Sequence, residues 1–292
     1  MRVFLFFLAA GLVSLPSAGG AERTSAFSTP RSPIQYVAPA GRPSAGRAVI
    51  PFEWVNGLIW VKVEAAGVKK PLNFVVDSGA GATVLELGTA RRLRLELGEP
   101  KAVFGVGQTS VAYRIDAFQA SVGGVPLNSG VYAVPLRPSK GEQKRRIDGM
   151  LGQDFFRDRV VEIDYARRLM VFHPKSPFRK GGIPLRYLGD ALCVPVALAG
   201  GEPEWVRLDT GCATALEWTA KPPPGVPMVK AKRASFRIGE TTVHLGGKTV
   251  GPVPVGFHDA PFFEGEAGLL GNGILSRFRV TIDAQAMKLY LE

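Results

Sequence analysis

Cysteine and histidine are scarce in this chain. It holds two cysteines, Cys193 and Cys212, and three histidines, His173, His244 and His258. That scarcity excludes a zinc ribbon, a disulfide-dense scaffold and a multi-haem protein. The histidines stand in the contexts VFHPK, TVHLGG and GFHDA, none beside a nucleophile motif, and read as surface or turn residues. A serine or cysteine hydrolase, which needs a positioned base, is therefore not indicated. His244, His258, Asp259 and a cysteine lack the spacing of a zinc site, so no metal is expected. Gly105-Val106-Gly107 lies among strand signals with no helix after it, so no phosphate-binding loop and no cofactor are expected. Acidic residues number 25 against 36 Lys and Arg, a net charge of +11. Such an excess can accompany nucleic acid or an anionic membrane surface. Here the basic residues are scattered, and the densest run, RPSKGEQKRR at 137–146, reads as a solvated loop. No nucleic-acid-binding signature accompanies it. Beyond the N-terminus no apolar run is long enough to span a bilayer, so no stable membrane insertion is expected.

Glycine (35) and proline (23) are plentiful in the 292 residues, and 46% of residues are hydrophobic. That composition favours a globular chain of short strands and frequent turns over a helix bundle. Arg2, the short apolar run VFLFFLAAGLVS at 3–14 and the small residues at 17–21 have the layout of a secretory signal peptide over 1–21. Export to the periplasm or the medium is the expectation. Residues 22–48 are rich in Pro, Ser, Gly and Ala without apolar periodicity, and read as a flexible linker or a propeptide.

From Val49 the texture becomes strand-like. LIWVKVEAAG at 58–67 and LNFVVDSGA at 72–80 read as a hairpin, followed by strands within 111–124, 129–136, 159–165 and 168–172. GTARRLRLEL at 88–97 is the best candidate for a helix. The Pro- and Gly-rich stretch near 172–184 marks a boundary between an N-terminal unit, 49–178, and a C-terminal unit, 185–292. Cys193 and Cys212 flank a second apparent hairpin turning near 200–204. Either a cross-strand disulfide or two buried thiols fits, and spacing leaves both open.

The two units resemble each other. VVDSGAGATVLE at 75–86 repeats as RLDTGCATALE at 207–217, matching Asp77 to Asp209, Ser78 to Thr210 and Gly79 to Gly211. GMLGQDFFRDRVVEIDYARRLMVF at 149–172 aligns without a gap on GLLGNGILSRFRVTIDAQAMKLYL at 268–291. Among the ten aspartates only Asp77 and Asp209 are followed by Ser or Thr and then Gly. Singly, each reads as a turn cap after a strand. As an equivalent pair they can meet at a pseudo-two-fold axis, where two close carboxylates resist ionising together and share a proton. Such a pair supplies an acid and a base for amide hydrolysis. Ser78 and Thr210 offer hydroxyl donors, and Gly79 and Gly211 permit close approach.

These residues resemble the retropepsin–pepsin clan of aspartic proteases, in a bacterial single-chain form. The matching signature is Val75-Val76-Asp77-Ser78-Gly79 with Met150-Leu151-Gly152, and Leu208-Asp209-Thr210-Gly211 with Leu269-Leu270-Gly271. The resemblance implies an all-β fold of two related β-barrel-like lobes, with an active-site cleft between them. It implies an endopeptidase in which Asp77 and Asp209 share an attacking water, acting on an extended peptide or protein substrate. It also implies a flap, for which AVFGVGQTSVAY at 102–113 is the counterpart, with its tip at Gly105, Val106 and Gly107 and Tyr113 as the flap aromatic. The second unit has KAKRASFRIGETT in the comparable place without Gly-x-Gly, so one functional flap is expected. Both aspartates lie in one chain, so a monomer suffices. The second motif departs in having Arg207 where the first has Val75, and Cys212 where the first has Ala80. The competing reading is a non-catalytic peptide-binding or structural module on the same fold.

Overall fold

The computed structural model describes residues 10–12, 47–106, 108–127, 130–136, 145–178, 180–230 and 236–292. The linker or propeptide region up to 46, Gly107, the 137–144 part of the basic run and most of the expected signal peptide lie outside them. Among the described residues the chain is almost wholly β, with three short helices, Leu87–Arg92, Gln153–Phe156 and Asn272–Leu275. No helix is long and apolar enough to cross a membrane.

Three sheets carry the fold. The first is built from residues up to 151. Its centre places Gly149–Leu151 between Leu72–Val76, which it meets in parallel, and Val84–Glu86, which it meets antiparallel. The second is built from residues 186–270 and repeats this pattern, with Gly268–Leu270 between Glu204–Leu208 and Leu216–Trp218. Ala191–Leu198 pairs both with Glu204–Leu208 and with Phe236–Leu245, which closes six strands into a barrel. The third sheet draws on both ends of the alignment. Val160–Asp164 pairs antiparallel with Arg279–Asp283, Val161 opposite Ile282, so the equivalent strands of the two units lie side by side. Val160, Ile163, Val280 and Ile282 are buried there, consistent with β-branched residues filling a pleated interior.

The strands run continuously apolar where they are covered on both faces. Leu72–Val76 buries Leu72, Phe74, Val75 and Val76, and Ala191–Leu198 buries every residue but Pro195. The expected helix over 88–97 is shorter than its sequence suggests. Glu86 caps it by accepting from the Thr89 amide at 2.8 Å, but it ends at Arg92 because Arg94 turns to a positive φ of 56°. The hairpin over 102–113 is present as Pro100–Gly105 paired with Gln108–Ile115. Tyr113 sits at its base opposite Pro100, so its position in the ladder keeps it from the tip. In the second unit Met228–Lys230 pairs with Phe236–Leu245, another hairpin, whose connecting residues lie outside those described. Ala10–Leu12, inside the expected signal peptide, pairs antiparallel with Val103–Gly105.

Candidate active site

Asp77 and Asp209 each follow the last residue of a buried strand. Each backbone amide is fixed by the neighbouring strand, Asp77 N donating to Leu151 O at 2.9 Å and Asp209 N to Leu270 O at 3.0 Å. The chain then turns tightly. Gly79 N and Ala80 N both donate to Asp77 Oδ1, at 3.1 and 2.9 Å, and Gly211 N donates to Asp209 Oδ1 at 2.8 Å. The turn cap and the facing pair are thus the same residues: capping fixes the carboxylate plane that then meets its counterpart.

The two loops are stitched to each other. Ser78 N donates to Thr210 Oγ1 at 2.9 Å and Ser78 Oγ to Leu208 O at 2.7 Å. In the reverse direction Thr210 N donates to Ser78 Oγ at 3.1 Å and Thr210 Oγ1 to Val76 O at 3.0 Å. All four bonds are buried, where a lost partner strands a polar group at about 1–3 kcal/mol. This grip brings the carboxyls of Asp77 and Asp209 into hydrogen-bonding contact. It also explains the two glycines. A Cβ at Gly79 would stand 2.5 Å from Asp209 Cγ, and one at Gly211 would overlap Asp77 Cγ. Close approach, rather than a left-handed backbone, is what requires glycine here.

Both aspartates are buried, at 2% and 3% exposure, and both titrate above the ordinary carboxylate range. Burial is the main cause for each. For Asp77 the facing charge of Asp209 adds to it, while the Ala80 and Gly79 amides oppose it. For Asp209 the positive charge of Arg207 is the largest opposing influence. The environment therefore favours the protonated form of each carboxyl and treats the two unequally.

Arg207 is the residue whose importance the sequence understated. It is 1% exposed and makes a two-pronged pair with Glu266, Nε to Oε2 at 2.7 Å and Nη2 to Oε1 at 2.6 Å. Its Nη1 donates to Gly79 O at 2.6 Å, reaching the aspartate loop of the other unit, and lies 3.4 Å from Asp190 Oδ1. The guanidinium carbon sits 3.7 Å from the Phe263 ring centre. A charged residue within the strand that leads to Asp209 is itself the signal, because such a charge is not buried without partners.

Other expectations fall out differently. Cys193 and Cys212 are both free and buried, not bonded. The hairpin register sets Cys193 opposite Arg207, whereas Cys212 lies beyond the Asp209 turn with its Sγ 3.1 Å from Thr214 Oγ1. His258 is not a surface residue: its side chain is 11% exposed and Nε2 lies 2.6 Å from Glu217 Oε2, while Thr214 donates to Glu217 Oε1 at 2.7 Å. His173, 3.1 Å from Glu162, is likewise mostly covered. Of the flap tip, Gly105 closes the hairpin strand, Val106 is buried against Cys212 and Leu269 with Phe262 and Phe263 beside it, and Gly107 lies outside the described residues. The hairpin thus reaches from the first unit over the Asp209 loop of the second. A separate cavity of about 580 Å³, lined by Phe178, Ile183, Pro195, His244 and Tyr290 among others, contains no residue of either aspartate loop.

Residues 61–155 match the model of a family described as aspartyl protease. The matched stretch includes Asp77 and the hairpin over 102–113, and stops before Asp209. No curated protein matches the chain.

Proposed function

We propose, from the match of residues 61–155 to an aspartyl protease family and from the all-β fold, that the whole chain is an endopeptidase working through an Asp77–Asp209 dyad. The observation that carries this reading is the reciprocal grip of Ser78 and Thr210, which holds two buried carboxyls in contact. A single buried aspartate needs no such partner for turn capping.

The chemistry follows from that unequal pair. The ionised carboxylate takes a proton from a water, whose oxygen attacks the peptide carbonyl carbon. The protonated carboxyl gives its proton to the carbonyl oxygen. Collapse of the tetrahedral intermediate breaks the C–N bond, with a proton passing to the leaving nitrogen, and restores one shared proton to the pair. The hairpin carrying Val106 supplies the cover. The substrate class is an extended peptide bound through main-chain hydrogen bonds.

Arg2 and the apolar run after it support export, with cleavage after Gly20 or Ala21. Cleavage there removes Ala10–Leu12 from the edge of Val103–Gly105 and leaves that main chain open to an added strand. The test is cleavage of a denatured protein by the purified chain, read by mass spectrometry of the fragments. Asp77→Asn and Asp209→Asn should each lower the rate about 10³-fold or more with unchanged circular dichroism. Variants that both cleave like the parent would end this reading.

A further inference from the structure

Arg207 is placed to do more than hold a loop. It precedes Asp209 by two residues, so the alternation of an extended chain sends both side chains to one face. Its guanidinium grips the carbonyl of Gly79, and the Cα of Gly79 packs directly on the Asp209 carboxyl. The equivalent residue of the first unit is Val75, which carries no charge. We infer that Arg207 is a positioning residue that breaks the symmetry of the dyad, keeping Asp209 its ionised member and Asp77 its protonated one. This rests on the dyad reading above and deepens it, since it assigns Asp209 as the base toward water and Asp77 as the acid toward the carbonyl.

The other charges around the pair act in known directions. Glu266 offsets most of the Arg207 charge through its two bonds, and Asp190 offsets part of the rest. Asp190 in turn feels Arg157, and Cys193, opposite Arg207 in the ladder, feels Arg186. On the other side of Asp209 stand Cys212, whose thiol burial holds neutral, and Glu217, which is paired with His258. Arg207 is the positive charge that acts most strongly on Asp209. The tuning is therefore adjustable from both ends: removing Arg207 takes positive charge away from Asp209, and removing the charge of Glu266 leaves more of it.

The test is the pH dependence of kcat/KM on fluorescein-labelled denatured casein, with the full chain. The acidic limb reports the first proton leaving the pair. Arg207→Gln should move that limb to higher pH by about one unit, and Glu266→Gln should move it to lower pH. A structural role alone lowers the rate of both variants without opposite shifts. Limbs that stay in place, or that move in the same direction, would overturn the inference. Because Arg207→Gln leaves Glu266 buried alone, the double variant Arg207→Gln/Glu266→Gln is measured beside it, and its limb should also lie above that of the parent. Carboxyl-carbon NMR of the aspartate-labelled chain reads the same shifts without catalysis. A parent that fails to cleave would end the protease reading, while the NMR shifts would still decide the role of Arg207.

Discussion

The two aspartate loops begin with the same turn and have different surroundings. Beneath Asp77, Val75 is buried with Leu58, Trp60 and Met150 and with Val103 and Ala112 of the hairpin, and Ile147 packs at the margin. At the equivalent places beneath Asp209 stand Arg207, which replaces Val75, and Glu266, which replaces Ile147 two positions before the glycine of the parallel strand. The turn entering each unit differs as well. Gly57 lies against Ala213 of the opposite loop, whereas Asp190 lies against Gly81. One side is an apolar cluster and the other an ion-pair cluster. The comparison teaches that the strand, turn and grip are enough to place a carboxyl. The residues beneath are then free to decide how that carboxyl titrates.

The sharpest way to break this comparison is to make the second side like the first. Arg207→Val alone should destabilise the chain by about 3–5 kcal/mol, because it leaves Glu266 charged and unpaired in the interior. The triple variant Arg207→Val/Glu266→Ile/Asp190→Gly imports all three residues of the first side and should recover most of that loss, read by urea denaturation. Failure of the triple variant to recover would mean the two sides differ in shape and not only in charge.

A smaller effect sharpens the comparison through pH. Both carboxyls titrate above their ordinary range in the folded chain, so the folded state holds protons that the unfolded state has released. Their contribution is fully present below the ordinary carboxylate range and is lost as pH rises through the folded values, by about 1.4 kcal/mol for each unit of upward shift. Asp77→Asn removes the carboxyl that must take up a proton on folding. It should be more stable than the parent at pH 7 and gain nothing at pH 3, as measured by thermal unfolding. Equal pH dependence in the two proteins would show that Asp77 retains no proton above the ordinary carboxylate range.

Much of the aspartate framework was readable from the chain itself. The repeated Asp-Ser/Thr-Gly after an apolar strand and the gapless second block correspond to matching strands, and an apolar run ending in Asp leaves little choice about where the acid sits. What escaped was chemistry assembled across distance. Glu86 and Glu217 align, yet one caps a helix and the other is buried between Thr214 and His258, because no helix follows Leu216–Trp218. The partnership of Arg207 with Glu266 and Gly79 spans 59 and 128 positions, and no local pattern encodes it. The disulfide alternative failed for a related reason: a hairpin turn gives the pairing of its strands, but not the place of a residue beyond their end.

The claim beneath all of this is that Asp77 and Asp209 titrate as one unit. Carboxyl-carbon NMR of the aspartate-labelled protein, followed from acid to alkaline pH, tests it most directly. The account predicts two linked steps, with one proton retained well above the ordinary carboxylate range, and loss of that linkage in Asp209→Asn. Two independent, ordinary carboxylate titrations in the parent would contradict it.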